Sequence, residues 1–363
     1  MGQIADQMGI CCTNPHSLRI TPPLGVNRCY DGSMKKPHKP KSPKTDRKRK
    51  SAKKKYKVRN WKEYNDLLVN RGRLIFHITK EAVERWETTE RSGKRGRSRR
   101  FSDVAIEICL TVQQYFRLPL RGAEGVVGEM LRLAGASCHA PDYSTLCKRG
   151  KTITVAIRVR SRLPGETLHV VVDSSGIKVY GEGEWKVRQH GISKRRTWRK
   201  LHLAGEADTG EILAGIVTGN DVHDSEVFPE ILDCIPDTIG QVSTDGGYDT
   251  RDCYAAIRKR GARAVVPPRR DAKIAVHGNS ALPVYARDEN LRRIRKVGRK
   301  RWKIESGYHK RSRAENTFFR LKTIFGDSVP ARTEENQRTQ LLLRCKILNR
   351  FTALGMPKSE VVA

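Results

Sequence analysis

Residues Leu168-His169-Val170-Val171-Val172 form a β-branched run that stops at an acid, Asp173. Three consecutive valines without alternation call for burial on both faces, as in a covered sheet. A carboxylate directly after such a run is costly unless it reaches water, a donor or a cation. The chain is therefore expected to fold around a sheet whose strand ends carry acids to the edge of the core. The pattern returns downstream, where Gly240–Thr244 reads as a strand ending at Asp245, followed by Gly246-Gly247. Glycines at that point let backbone approach a ligand closely. Taken singly, an acid at a strand end reads as a turn or cap residue. Two at matching places, on strands expected to be neighbours, favour a shared site.

The surrounding elements follow from periodicity and turn chemistry. Gly176–Tyr180 reads as a second short extended piece. Trp198–Ala207 and Glu211–Thr218 read as a hairpin around Asp208-Thr209-Gly210. Asp224 is expected to cap a helix over Ser225–Leu232, and Asp252 another through Lys259. Ala262–Val266 reads as a strand closed by Pro267-Pro268. Residues 269–303 read as basic and irregular. Ser306 to about Ile324 reads as a long helix stopped at Gly326, and Arg338–Phe351 as a last, amphipathic one. Three strands, helix, strand, helix, strand, helix is the order of an α/β, ribonuclease-H-like mixed sheet with helices on its faces, assigned to residues 166–355.

Upstream the pattern is mainly helical. Asn60 is expected to cap a helix carrying Trp61, Tyr64, Leu67 and Leu68, and Arg73–Thr79 reads as a short strand. Ser102 opens a helix to about Phe116, which Leu118-Pro119-Leu120 breaks. Gly122–Leu133 and Tyr143–Arg149 are two more. Helix, turn and a short helix with a basic end suggest a helix-turn-helix-like DNA-binding domain over residues 56–160. Three small helices also build domains that touch no nucleic acid. Residues 1–55 read as a disordered arm, basic in its second half, KKPHKPKSPKTDRKRKSAKKK.

Charge narrows the partners. The chain has 72 Lys+Arg against 39 Asp+Glu, a net charge of +33, which repels itself without an anionic partner. Nucleic acid is the expected partner, because Lys and Arg displace counterions from phosphates. A ribosome-like RNA binder or a membrane-surface protein would share this composition. No apolar run reaches the length of a membrane span, and residues 1–30 hold no signal-peptide core. A cytoplasmic, nucleoid-associated protein is expected, with no membrane and no small-molecule substrate. The nine cysteines are scattered without C-x-x-C spacing, so a structural zinc site has little support.

A third acid lies on the long helix. Tyr308, Arg311, Glu315 and Lys322 are spaced to share one stripe, while Ala314, Phe318, Leu321 and Phe325 form an apolar one. A polar stripe is usually a solvated face. This one sets a single acid among a hydroxyl, a guanidinium and an ammonium, all suited to phosphate. Phosphodiester cleavage with two metal ions needs several carboxylates converging on one point, and hard Mg²⁺ prefers their oxygens.

The segment YHKRSRAENTFFRLK resembles the Tyr-x-x-Arg-x-x-x-Glu-x-x-x-x-x-x-Lys signature of bacterial insertion-sequence transposases of the Asp-Asp-Glu class. VVVDSSGIKVYGEGEWKVRQHG, RRTWRKLHLA, DGGYDT and VPPRR are similar to the insertion-sequence-five family. So are YKVRNWKEYNDLLVNRG, LPLRGAEGVVGEMLRLAG and LNRFTALGMPKS, so the resemblance runs from about Tyr56 to Ser359. It implies that Asp173, Asp245 and Glu315 are a metal-binding catalytic triad for Mg²⁺, with Mn²⁺ substituting. It implies that Tyr308, Arg311 and Lys322 hold DNA phosphates near the cut. It also implies action on the element's terminal inverted repeats, by cleavage and strand transfer, and a homo-oligomer on DNA. Gly247 and Asn316-Thr317-Phe318-Phe319 depart mildly from the family pattern.

The basic run around Arg195, Arg196, Arg199 and Lys200 is expected to track a DNA backbone. Trp185 and Trp198 read as packing residues ahead of base-stacking ones. Asp249 reads as a turn residue ahead of a fourth acid near the metals. Two rivals share most of these features: a DNA-binding protein without catalysis, and a ribonuclease-H-like nuclease that cuts but does not join. Three intact acids favour an enzyme, and the basic segments ahead of the core favour a dedicated end-binding domain.

Overall fold

The structure, a computed structural model, describes residues 55–75, 79–88, 98–157, 159–163, 165–179, 198–276 and 285–362. The chain opens with β1 (Lys55–Val58), α1 (Trp61–Ile75), α2 (Lys80–Glu84), α3 (Asp103–Phe116), α4 (Leu120–Leu133) and α5 (Tyr143–Gly150). It continues through β2 (Leu168–Val179), β3 (Trp198–Glu206), β4 (Ile212–Thr218), α6 (Asp224–Asp233), β5 (Ile239–Ser243), α7 (Arg251–Lys259) and β6 (Arg263–Val265). Last come α8 (Ala286–Val297), α9 (Arg299–Glu305), α10 (Ser312–Phe325), β7 (Ser328–Val329), α11 (Glu334–Leu354) and β8 (Ser359–Val362). Residues 54–363 cluster as one unit. The expected arm lies almost wholly outside the described residues.

The main sheet has the order β4-β3-β2-β5-β6, with β7 beside the end of β2. The pairs β2–β3 and β3–β4 are antiparallel, whereas β2–β5 and β5–β6 are parallel. The valine run accounts for the centre of this arrangement. Val170 and Val172 face Phe228, Ile231, Leu232 and Ile257 of α6 and α7. Val171 faces Ala314 of α10. The same face continues through Ile177, Leu201 and Leu203 to Phe318, Leu321, Leu341 and Leu348 of α10 and α11. Both faces are thus covered by helices, as the unalternated run requires.

Helices α3, α4 and α5 build a second core from Ile106, Cys109, Leu110, Val127, Leu131 and Leu146 around Trp86. Ser102 and Asp142 accept backbone hydrogen bonds at the starts of α3 and α5. Helix α11 runs between the two cores: its Leu343 joins the helical one while Leu341 and Leu348 face the sheet. Its buried polar side chains are spent on specific ties, Thr339 Oγ1 to Gly150 O at 2.8 Å and Asn349 Nδ2 to Ile212 O at 2.7 Å. Arg344 is buried, with Nε on Gln114 Oε1 at 2.8 Å and Nη1 on Ser328 O at 2.9 Å. Burial lowers its pKa to about 10.

Several local expectations change. Leu168–Val172 and the Gly176 piece belong to one strand, β2, because β3 and β7 carry pairing past Asp173. Helix α1 continues through Arg73–Ile75, where a strand was expected; residues 76–78 lie outside the described ones. Residues 286–305 are helical, not irregular: Leu291 and Trp302 bury two apolar anchors among the charges. The helix expected from Ser306 begins at Ser312, because Gly307 takes φ 69° and Tyr308–Arg311 form a tighter 3-10 turn. The N-cap of α6 is His223 and that of α7 is Thr250, so Asp224 and Asp252 sit inside the first turns. Strands β1 and β8, which pair antiparallel, were not foreseen.

Candidate active site

The pairing of β2 with β5 ends at Val171↔Ser243. The acids follow at the carboxyl ends of this parallel pairing, the place where open α/β sheets bind ligands. Asp173 follows on β2, and Asp245 follows β5 after the buried Thr244. Asp245 Oδ1 accepts from Gly247 N at 2.8 Å and caps a single turn over Gly246–Tyr248. Its cap role is therefore real, and it occupies one carboxylate oxygen.

Arg311, at the junction of the 3-10 turn and α10, reaches both remaining acids. Its Nη1 lies 3.2 Å from Asp173 Oδ2, and its Nη2 pairs with Glu315 Oε1 one helical turn on. Burial pushes the Asp173 carboxyl above the usual range. The Ser174 backbone N–H and Arg311 oppose that shift, while Asp245 and Glu315 add to it. Burial works against the Arg311 charge, yet Tyr308, Asp173, Glu315 and Asp245 hold its pKa above the ordinary value. Three acids and one guanidinium thus share one electrostatic neighbourhood.

The other members of the signature line the same place. The Tyr308 ring lies between two cations, Lys303 Nζ at 4.9 Å and the Arg311 guanidinium at 5.9 Å from its centroid. Its phenol is raised, first by burial. Lys322 Nζ donates to Ser175 Oγ at 2.8 Å. Ser175 is two residues beyond Asp173, so the two side chains share one face of β2.

A second carboxylate cluster occupies the opposite face. Ser174 Oγ donates to Asp224 Oδ2 at 2.8 Å. Lys200 Nζ donates to Asp224 Oδ1 at 3.0 Å and to Val222 O at 2.7 Å. Burial would raise the Asp224 carboxyl, but Ser174 and Lys200 bring it below its ordinary value. His202 Nε2 meets Thr218 Oγ1 at 2.9 Å, and burial lowers its pKa. The Tyr248 hydroxyl is buried without a hydrogen-bond partner among the described residues; burial, then Asp224, Asp173 and Asp245, raise its pKa.

The structure thus brings together Asp173, Asp245, Glu315, Tyr308, Arg311 and Lys322. It commits Arg199 elsewhere, with Nε on Gln337 Oε1 at 2.7 Å and Nη2 on Glu334 at 3.0 Å. Lys200 is bound to Asp224. Arg195, Arg196 and Trp185 lie outside the described residues, and Trp198 packs beside Lys178 Nζ at 5.9 Å from its ring. One feature was not legible as a site element, the Asp224 cluster. Asp249 is buried and accepts from Arg287 Nε at 2.8 Å and Arg269 N at 3.0 Å. Asp249 pins the basic segment after β6 beside the turn that carries Asp245.

The donor set suits a hard divalent cation: three carboxylates share one neighbourhood, and the raised proton affinity of Asp173, due first to burial, is one a cation would relieve. As they stand, no three His, Cys, Asp or Glu among the described residues are drawn together closely enough to hold one ion. Arg311 bridges two of the carboxylates, Asp173 and Glu315. Among the described residues no helix is long and apolar enough to cross a membrane.

Comparison with known proteins fits this geometry. Two sequence families, each described as a transposase DDE domain, match residues 69–182 and 164–350. The second match alone spans more than half of the chain, and the chain belongs to the DDE-domain transposases. A solved piggyBac transposase synaptic complex with hairpin DNA is 9% identical to it. That match covers 77% of this chain and 74% of that one at a TM-score of 0.33, an overlap too loose to carry structural detail.

Proposed function

We propose that the chain is an insertion-sequence transposase that binds the terminal inverted repeats of its element, cleaves at their ends and transfers the freed strand into target DNA. The observation that carries this reading is the Arg311 bridge between Asp173 and Glu315, within electrostatic reach of Asp245. Residues 166–355 are read as a ribonuclease-H-like catalytic domain, which the strand order and its mixture of antiparallel and parallel pairs support. Residues 56–160 are read as the DNA-binding domain, and residues 1–55 as a basic arm that adds phosphate contacts.

Asp173, Asp245 and Glu315 would hold Mg²⁺ or Mn²⁺. When bound, such ions supply positive charge to the attacking and leaving oxygens of a phosphodiester. Without DNA, Arg311 bridges Asp173 and Glu315. On binding DNA its guanidinium is free to pair with a phosphate in bidentate fashion. Tyr308 and Lys322 flank that position as hydroxyl and ammonium donors, and Lys303 extends the cationic wall. The buried β2 run fixes Asp173, and the Gly247 hydrogen bond fixes Asp245, so two of the three acids are preorganised. Glu315 is 58% exposed and free to adjust. Joining two element ends calls for a homo-oligomer on DNA, and the expected location is the bacterial nucleoid.

The test is a strand-transfer assay with labelled element ends and a plasmid target, in Mg²⁺ or chelator, with Glu315→Gln alongside. Metal-dependent joining that the variant loses supports the reading. Tight binding to ends with no cutting under any condition would leave a DNA-binding protein built on a transposase fold.

A further inference from the structure

Helices α8 and α9 are the most cationic described part of the chain, with nine basic residues against three acidic over residues 286–305. Their packing is fixed independently of that charge. Leu291 and Trp302 are buried, Asn290 Nδ2 donates to Ala264 O at 3.0 Å, and Asp288 accepts from Val276 N at 2.7 Å. Four of the cations are spent inside the protein: Arg287 on Asp249, Arg292 on Glu289, and Arg293 and Arg301 on Glu305. Arg295, Lys296, Arg299 and Lys300 are not. They cluster around Gly298, whose φ of 81° turns α8 into α9, and none has a carboxylate partner among the described residues. Four unmatched cations around one joint repel one another, and an anion relieves that. The cationic surface is continuous with the candidate active site, because Trp302 and Lys303 of α9 both pack on Tyr308.

Topology says which anion. The sheet order places β6 at one edge and β4 at the other, with β2 and β5 and their carboxylates between. The segment leaving the helical core meets the β4 side, where Arg160 N donates to Glu211 Oε1 at 2.7 Å and Arg162 pairs with Glu211 at 2.9 Å; α11, whose Leu343 joins that core, holds Ile212 through Asn349. The α8–α9 joint lies on the β6 side. A duplex cut at the carboxylates, with its repeat toward the helical core, runs out past β6. We propose that Arg295, Lys296, Arg299 and Lys300 bind the phosphates of the duplex flanking the element end, on the far side of the cut from the terminal repeat. This rests on the transposase reading above and on residues 56–160 as the repeat-binding domain.

The interaction is with phosphates, so its signature is salt dependence without sequence preference. Two duplexes serve as probes: the terminal repeat ending flush at the cut site, and the same repeat extended by flanking DNA. Affinity is measured across a salt series for the wild type and for R295Q/K296Q/R299Q/K300Q. On the extended duplex the slope of log K against log salt is expected to fall by about 3–4 in the variant, at about 0.9 for each phosphate no longer neutralised. On the flush duplex the two proteins should agree. Equal slopes on the extended duplex overturn the proposal, and an equal loss on both duplexes overturns the flank assignment. Wild-type protein that binds neither duplex removes the transposase reading itself. Should the fourfold variant fail to fold, K296Q/K300Q, at two exposed positions, carries the same test with a slope change of about 2.

Discussion

Two carboxylate–cation clusters sit back to back on β2, and they are built in opposite senses. On the α6 face, Asp224 is met by a hydroxyl and an ammonium, and its proton affinity falls. On the α10 face, burial raises the proton affinity of Asp173; the Ser174 N–H and Arg311 oppose this, and two further acids add to it. A carboxylate satisfied by its neighbours anchors structure. One buried against its own charge destabilises the metal-free fold, a pattern common at functional sites. Asp224 ties β2 and β3 to the start of α6, and Asp173 keeps a raised proton affinity that a bound cation would lower.

The sharpest way to break this comparison is at the cation. Arg311→Lys keeps a charge near Asp173 but loses the fork that spans two acids or grips a phosphate in two places. Strand transfer should fall about 10–100-fold, the effect of losing roughly 1.4–2.8 kcal/mol at the transition state. End binding should stay near wild type. A variant as active as the wild type would mean that the bridge is incidental.

A smaller effect separates the two acids by sign. The folded-state pKa of Asp224 is depressed, so its stabilising contribution is present above the unfolded carboxylate pKa and lost as pH falls through the folded one. That of Asp173 is raised, so the metal-free fold is favoured at low pH and loses that contribution as pH rises through the raised value. At neutral pH without metal, Asp224→Asn should lower stability by about 1–2 kcal/mol, less than for a fully buried pair because both partners keep some solvent contact. Asp173→Asn should raise the melting temperature. Melting curves of both variants in chelator decide this, and shifts of the same sign would undo the contrast.

The sequence carried the two features that place the site. Three valines before Asp173, and the strand before Asp245, announce acids on neighbouring strands, although β2 runs on past Asp173 to Val179. The spacing of Arg311 and Glu315 puts them on one stripe, and the structure shows them paired. What stayed hidden depends on long-range neighbours. Asp224 reads as a helix cap until β3 brings Lys200 beside it. Residues 286–305 read as irregular because two apolar anchors are lost among nine cations, and Trp302 shows its purpose only against Tyr308. Strands β1 and β8 pair across nearly the whole chain, Tyr56 with Val361, where no local pattern announces a partner. Gly307 set the true start of α10, since a left-handed glycine interrupts a helix whose charge stripe runs on without a visible break.

Direct binding of Mn²⁺ bears most closely on the central claim. It can be followed by spin resonance or calorimetry on wild type, Asp173→Asn and Asp224→Asn, without DNA and without turnover. Wild type and Asp224→Asn should bind the ion alike, and Asp173→Asn should lose it. Undiminished binding in Asp173→Asn, or loss confined to Asp224→Asn, would contradict the assignment of the Asp173, Asp245 and Glu315 face as the metal site.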